Sequence, residues 1–366
     1  MATRPLGAIV LAAGEGTRMR SSLPKPLHRV CGRPLVLHVL DALAELPVGR
    51  VVVVVGYRSV EVTKTLQAEA PAGLRLEFVE QVRPLGTGEA AAVGLTGFPE
   101  SYEGREDGDV LVLPGDAPLV RSSTLAALVR AHRGSEAAAT LLTARVADPR
   151  GYGRVVRSKD GGVARIVEDA DASEEEREID EIATSIYCFR HSVLAPSLRR
   201  LSPDNAQGEY YLTDAVAVLH DAGHPIGTLL APDPAEAAGV NDRSQLAEAE
   251  AEMRRRLNAR WMRRGVTMTD PGHTYLDTTV AIGEDATILP GVVLEGTTTV
   301  GAGAVLGPAC HLVDCEVGAR ARLERCSARQ AVIGEDAEVG PFAVLEPGSR
   351  LAPGSRTGAF FVGTPG

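Results

Sequence analysis

Leu11-Ala12-Ala13-Gly14-Glu15-Gly16-Thr17-Arg18-Met19, with Lys25 six residues further on, follows the apolar run Gly7-Ala8-Ile9-Val10 and precedes Gly32-Arg33-Pro34. The apolar run reads as a buried parallel strand, because it is short, continuous and bounded by turn residues. A loop of Gly and Ala leaving such a strand lets backbone N–H groups come close to a polyanion. Arg18 and Lys25 add the charge that glycine cannot supply. A plain strand-to-helix turn explains so short a motif equally well, so the decision falls to the rest of the chain.

Outward from that loop, strand and helix signals alternate. Leu35–Leu46 has helical spacing, Val51–Val55 is an unbroken β-branched run, and Ser59–Glu69 is again helical. Leu74–Val79 alternates like a strand, Glu89–Leu95 is Ala-rich and helical, and Val110–Leu113 ends at Pro114-Gly115-Asp116-Ala117-Pro118, ahead of a helix over Thr124–Arg133. This β-α-β-α rhythm predicts a Rossmann-like α/β domain: a parallel sheet with helices on both faces. Ligands of such sheets bind beyond the carboxyl ends of the strands. The opening loop and Asp116 both fall there, so they can share one crevice. From Ala137 to Tyr187 the pattern turns more β-like, with Gly151-Tyr152-Gly153-Arg154 as a turn. The acidic stretch Ala172–Glu181 reads as a solvated face rather than a metal site.

Asp242–Arg264 reads as one long helix that stops at Gly265. Beyond it the pattern changes in kind. Ile282, Ile288, Leu294, Val300, Leu306 and Leu312 recur every six residues, and Ile333, Val339, Leu345 and Leu351 resume the step. A six-residue apolar repeat predicts a short left-handed parallel β-helix in which each short strand turns one aliphatic residue inward. Between Leu312 and Ile333 the step slips, at Val317 and Leu323, which predicts a loop or irregular coil. The resulting division is 1–241 for a nucleotide-type domain, 242–265 for a linker helix and 266–366 for the β-helix.

A net charge of −10 over 366 residues argues against nucleic acid as the main partner, since that needs a basic face. With 44% hydrophobic residues the chain has ample material for two cores. Cys31, Cys188, Cys310, Cys315 and Cys326 are scattered with no C-x-x-C, which points to free thiols in a reducing cytoplasm. No leader pattern opens the chain and no apolar run reaches the roughly 18 residues of a membrane span, so no membrane partner is expected.

Taken together, these features resemble the bacterial N-acetylglucosamine-1-phosphate uridylyltransferase family, whose full-length members also carry a glucosamine-1-phosphate acetyltransferase. The segments that carry the resemblance run in order through nearly the whole chain: Leu11–Met19, Pro24-Lys25-Pro26-Leu27-His28, Leu85-Gly86-Thr87-Gly88, Gly115-Asp116-Ala117-Pro118-Leu119, Gly151-Tyr152-Gly153-Arg154, Ile166-Val167-Glu168, Glu209-Tyr210-Tyr211-Leu212-Thr213-Asp214, Gly239-Val240-Asn241 and Arg264-Gly265-Val266-Thr267. The resemblance implies transfer of a uridylyl group from UTP to a sugar-1-phosphate, with pyrophosphate leaving. It further implies Mg²⁺ on Asp116 and Asn241, and Arg18 and Lys25 as the catalytic clamp on the triphosphate. Leu11, Ala12, Ala13, Gly14, Lys25, Gln81, Gly86 and Thr87 would meet the nucleotide, and Gly153 and Glu168 the sugar. A homotrimer through the β-helix is also implied.

Several positions depart from the family. The Asn of its Glu-Ile-Asn-Thr-Gly segment is Ala183, the Tyr before Gly-Asp is Pro114, the His after Gly-Thr-Gly is Glu89, and a sugar-side Lys is Ala170. In the β-helix, Glu346, Ala359 and Thr364 stand where the acetyltransferase has Arg, Asn and Lys, and the last histidine is His311. Without a matching general base, acetyl transfer to an amine is expected to be absent. Three readings remain at this stage: a uridylyltransferase for N-acetylglucosamine-1-phosphate, the same chemistry on another sugar-1-phosphate or another nucleoside triphosphate, and a non-catalytic nucleotide-sugar-binding subunit.

Overall fold

The computed structural model describes residues 4–98 and 107–365. These form two compact units. One holds the chain up to His28 together with Pro34–Leu246; the other holds Arg29–Arg33 and the chain from Ala247 onward.

The first unit is built on nine strands: β1 (Leu6–Ala12), β2 (Arg50–Val55), β3 (Leu76–Glu80), β4 (Asp109–Pro114), β5 (Ala139–Arg145), β6 (Arg154–Arg157), β7 (Val163–Val167), β8 (Glu181–Arg190) and β9 (Ile226–Leu230). The main sheet runs β9-β5-β8-β4-β1-β2-β3, with the β6–β7 hairpin attached to β8. The β1, β2, β3 and β4 pairings are parallel, as the alternating pattern predicts. Within the more β-like stretch, whose strand direction the pattern leaves open, β8 lies antiparallel between β4 and β5. A strand buried on both faces has the same apolar run in either direction, so periodicity carries no sign of its polarity.

Burial on both faces explains the β-branched runs. Val51, Val53 and Val55 point into a core with Ala8, Val10, Leu111 and Leu113, under helices α1 (Leu35–Ala44), α2 (Ser59–Glu69) and α4 (Ser122–Ser135). Val52 and Val54 point the other way, with Ile9, Val110 and Val112. There they meet α3 (Thr87–Leu95), and the acidic stretch adds only the short α5 (Glu174–Arg177) before α6 (His191–Leu198) and α7 (Asp214–Asp221). Helix α3 lies so close that a Cβ on Gly94 would sit 2.6 Å from Ile9 Cγ2 and 3.0 Å from Val54 Cγ2. A side chain there would force helix and sheet apart.

Helix α8 (Arg243–Arg263) ends at Gly265, whose φ of +88° is a backbone state that favours glycine. The strands that follow stack into three parallel sheets of five, six and five strands, the ladders of a β-helix. Met268, Ile288, Leu306, Leu323 and Val339 line one inner edge, Leu276, Leu294, Leu312, Ala328 and Leu345 the second, and Ile282, Val300, Val317 and Ile333 the third. Of the two expectations between Leu312 and Ile333, the loop is corrected and the irregular coil is what forms: pairing continues without a break. Three full six-residue steps separate Leu294 from Leu312, whereas Leu312 pairs with Ala328, two residues short of that interval. The residues are removed at corners, where Asp314, Arg325 and Gln330 take positive φ. The column of inward side chains is kept because the corners, not the strands, absorb the deletion.

Among the described residues no helix is long and apolar enough to cross a membrane. All five cysteines are free and buried.

Candidate active site

Two strand ends make the crevice. β1 runs into the Ala13–Gly16 loop, and β4, its parallel neighbour, runs into Gly115-Asp116. The Gly115 N–H donates to the Leu11 carbonyl at 2.8 Å, which ties the second loop to the first strand. Gly14 is exposed, and a Cβ added there would meet nothing within 4 Å, so its backbone is open to a ligand. Gly16, at φ +67°, has another task. A Cβ on it would come within 2.6 Å of Lys25 Cβ, so its bare Cα lets the Lys25 stem pass beneath the loop.

Lys25 opens a short 3₁₀ turn after Pro24. Its Nζ pairs with the Asp116 carboxylate and donates to Asn241 Oδ1 at 2.8 Å. Arg18 Nη2 donates to the same Asn241 oxygen at 3.1 Å. Asn241 is delivered from far along the chain. The Val240 N–H donates to the Asp116 carbonyl at 2.9 Å, and the Asn241 N–H donates to Gln245 Oε1 at 2.7 Å. Asp242 Oδ1 accepts from the Gln245 N–H at 2.9 Å and so caps α8. One more brace is Arg121, whose guanidinium meets Asp233 and the fully buried Glu236. It joins the segment after Asp116 to the segment before Asn241. Arg18, Lys25, Asp116 and Asn241 therefore form one contact although they are distant in sequence.

The geometry suits a hard cation. A carboxylate oxygen and an amide oxygen converge on the Lys25 ammonium, which marks a position where positive charge is held by oxygen donors. Mg²⁺ sites commonly use one or two protein oxygens and leave the remaining positions to phosphates and water. Asp116 and Asn241 fit that pattern.

Gln81 and Gly86-Thr87, expected from the resemblance to meet the nucleotide, lie at the exit of β3 and the start of α3. Gln81 Nε2 donates to the Gly86 carbonyl at 3.2 Å and to the Glu89 carboxylate. Gly86 has φ +110°, and a Cβ would strike the Tyr210 carbonyl at 2.6 Å. The Thr87 hydroxyl accepts from the Leu212 N–H at 3.0 Å, which ties the start of α3 to the segment before α7.

On the other side, Gly153, Glu168 and Ala183 come together at the β6–β7 hairpin and β8. The Ala183 N–H donates to the Gly153 carbonyl at 2.8 Å, and a Cβ on Gly153 would lie 3.5 Å from Glu168 Oε2. Thr213 donates to Glu168 Oε1 at 2.9 Å, a role for its motif that the sequence reading does not assign. Burial, followed by the charges of Asp214, Asp171 and Asp169, raises the Glu168 pKa above the ordinary glutamate value, against the pull of the Thr213 hydroxyl. The folded protein thus keeps this proton to higher pH than the unfolded chain. The ionised carboxylate subtracts from stability above the usual glutamate range and subtracts nothing below it. Glu168→Gln keeps an acceptor for Thr213, so it is expected to raise the melting temperature at neutral pH. The gain should fade as pH drops through the ordinary glutamate range; a gain equal at all pH values would contradict this origin.

Comparison with known proteins supports the same assignment. Residues 8–234 match the model of the MobA-like NTP transferase domain. The chain is 46% identical over 360 residues to the bifunctional protein GlmU of Streptomyces avermitilis, covering 98% of this chain and 73% of that protein. Against its Thermobifida fusca namesake the identity is 48% over 333 residues, 91% of this chain and 68% of the relative. For that of Brevibacillus brevis it is 44% over 353 residues, 96% and 74%. Similarity that runs through both units, together with a crevice that gathers Arg18, Lys25, Asp116 and Asn241, makes this chain a member of the GlmU family and a sugar-1-phosphate nucleotidyltransferase.

Proposed function

We propose that the chain transfers the uridylyl group of UTP to N-acetylglucosamine-1-phosphate, giving UDP-N-acetylglucosamine and pyrophosphate, with Mg²⁺ as cofactor. The observation that carries the reading is the four-residue contact of Arg18 and Lys25 with Asp116 and Asn241. A phosphate oxygen of the sugar-1-phosphate attacks the α-phosphorus of UTP, the bond from that phosphorus to the β-phosphate bridge breaks, and pyrophosphate departs. Such chemistry asks for alignment and charge neutralisation more than for a protein nucleophile. In this reading the loop of Leu11, Ala12, Ala13 and Gly14 contacts the nucleotide, while Gln81, Gly86 and Thr87 meet the base and nearby groups. Arg18 and Lys25 offset the charge that builds on the leaving pyrophosphate. Asp116 and Asn241 would hold Mg²⁺, which would supply further charge neutralisation at the phosphates. Gly153 and Glu168 face the sugar, and the unit of residues 1–241 carries the whole reaction. The test is pyrophosphate release, with and without Mg²⁺, from a panel of nucleoside triphosphates and sugar-1-phosphates. Release confined to UTP is expected, and no release with any pair would refute the reading.

One observation favours a second reading in which another sugar-1-phosphate is preferred. Ala183 lies beside Gly153 with no polar side chain to offer. A missing buried hydrogen bond costs on the order of 1–3 kcal/mol. Ala183→Asn is therefore expected to lower the KM for N-acetylglucosamine-1-phosphate roughly tenfold with kcat little changed. An equal gain for glucose-1-phosphate would contradict a contact to the acetamido group.

The β-helix is read as an assembly element without acetyltransferase activity. Glu346 sets a negative charge where the family resemblance calls for a cation, and acetyl-CoA consumption with glucosamine-1-phosphate should stay at background. Exposed Phe342, Val344, Phe360, Phe361 and Val362 give it an apolar outer surface that supports a homotrimer, to be checked by light scattering. Five free thiols are in keeping with a cytoplasmic protein, a placement that subcellular fractionation would overturn by finding it elsewhere.

A further inference from the structure

Gln81 is buried, 8% exposed, and its backbone N–H is fixed to the Val55 carbonyl at 2.8 Å. Its side-chain Nε2 donates twice, to the Gly86 carbonyl at 3.2 Å and to the Glu89 carboxylate. Both partners are acceptors only: a backbone carbonyl and a carboxylate have no proton to give. Turning the amide over would set Oε1 against two other oxygens, so the hydrogen-bond network permits a single orientation. The frame around it is rigid. Gly86 is confined by the Tyr210 carbonyl, the Gly88 N–H donates to that carbonyl at 2.7 Å, and the Tyr210 N–H donates to the Leu85 carbonyl at 2.8 Å. Glu89 stands in the first turn of α3, where the helix dipole favours negative charge.

An unconstrained glutamine amide reads a base edge ambiguously, because either end can be presented. Uracil and cytosine differ in that respect. Uracil offers a donor at N3–H beside the O4 acceptor; cytosine offers an acceptor at N3 beside the N4 amino donor. We propose that Glu89 is a positioning residue for base selection, committing Gln81 to present Oε1, which accepts from N3–H of uracil and meets only a lone pair at N3 of cytosine. This rests on the reading of Gln81 as a base contact. Glu89 departs from the histidine of the family resemblance, so the device belongs to this sequence. A merely structural tie between the exit of β3 and α3 would affect all nucleotides alike, whereas a positioning role changes their ratio.

The experiment compares the full chain with Glu89→Gln, Glu89→Asp and Gln81→Ala. It measures kcat/KM for UTP and CTP with one sugar-1-phosphate, and calorimetric binding of each nucleotide without sugar. A glutamine at position 89 can donate or accept, so only the Gly86 carbonyl, at 3.2 Å, still opposes a turned Gln81 amide and the flipped orientation becomes accessible. Glu89→Gln is expected to lower the UTP to CTP preference about tenfold or more, partly through a gain for CTP, and Gln81→Ala to lower it as well. Glu89→Asp keeps acceptor-only chemistry and should hold the preference near that of the parent. If Gln81→Ala collapses the preference and Glu89→Gln leaves it unchanged, the base contact stands and the role of Glu89 is overturned. If neither substitution moves the preference, the base contact itself fails and the proposal falls with it. A drop in Glu89→Gln alone, with Gln81→Ala at the parent ratio, overturns the proposal because Glu89 then acts without Gln81.

Discussion

Asp116→Ala is expected to reduce nucleotidyl transfer by roughly three orders of magnitude, in line with losing a preorganised electrostatic contact in a reacting site. The same change should abolish saturable Mn²⁺ binding, measured by water-proton relaxation. The reasoning starts from placement. Asp116 follows the end of β4, and Gly115 fixes that loop to Leu11 through a 2.8 Å hydrogen bond, so its carboxylate is held at one position. Of the two oxygens that meet Lys25, the Asn241 amide is then left, and one neutral amide holds a divalent ion weakly. The Asp116 side chain is 22% exposed and lies outside the main cores, so the fold should persist and the unfolding temperature should change little. Activity within a few-fold of the parent would refute Asp116 as a metal ligand.

Lys25→Met should have the opposite effect on metal and a similar one on rate. The Lys25 ammonium faces the Asp116 carboxylate and Asn241 Oδ1. A charge pair about 4 Å apart is worth from about 1 kcal/mol in water to about 4 kcal/mol near a protein surface. Removing the ammonium therefore leaves two oxygens with less positive charge to satisfy them, and Mn²⁺ should bind at least several-fold more tightly. Turnover should nevertheless fall by about a hundredfold or more, since the charge developing on pyrophosphate loses a partner. The two substitutions thus separate metal binding from transition-state neutralisation. Weaker Mn²⁺ binding in Lys25→Met would show that Lys25 organises the site rather than competing for it.

How much of this was legible in the sequence depends on how local each feature is. The crevice of the opening loop and Asp116 was, because Val51–Val55 and Val110–Leu113 are buried runs whose ends can be counted. The six-residue column was legible for the same reason, but its beginning was not. Met268 and Leu276 line the interior, yet the 3₁₀ turn Pro271–His273 between them breaks the step. The polarity of β8 was hidden because burial on two faces erases alternation. At the site, Asn241 and Asp116 were named by motif, while the ties between them, Val240 to the Asp116 carbonyl and Arg121 to Glu236, exist only once the chain is folded. Thr213 is a case in between. Its segment carries part of the family resemblance, but that its hydroxyl supports Glu168 follows from packing of α7 against the β6–β7 hairpin, which no spacing encodes.

The most direct test of the central claim follows the phosphorus. The purified chain is incubated with Mg²⁺, N-acetylglucosamine-1-phosphate and UTP labelled at the α-phosphate, and the products are separated. The account predicts that the label passes wholly into UDP-N-acetylglucosamine, that an equal amount of unlabelled pyrophosphate appears, and that omitting either Mg²⁺ or the sugar-1-phosphate stops both. Label recovered in UMP or inorganic phosphate with no UDP-sugar formed, or label left in UTP under all conditions, would contradict it.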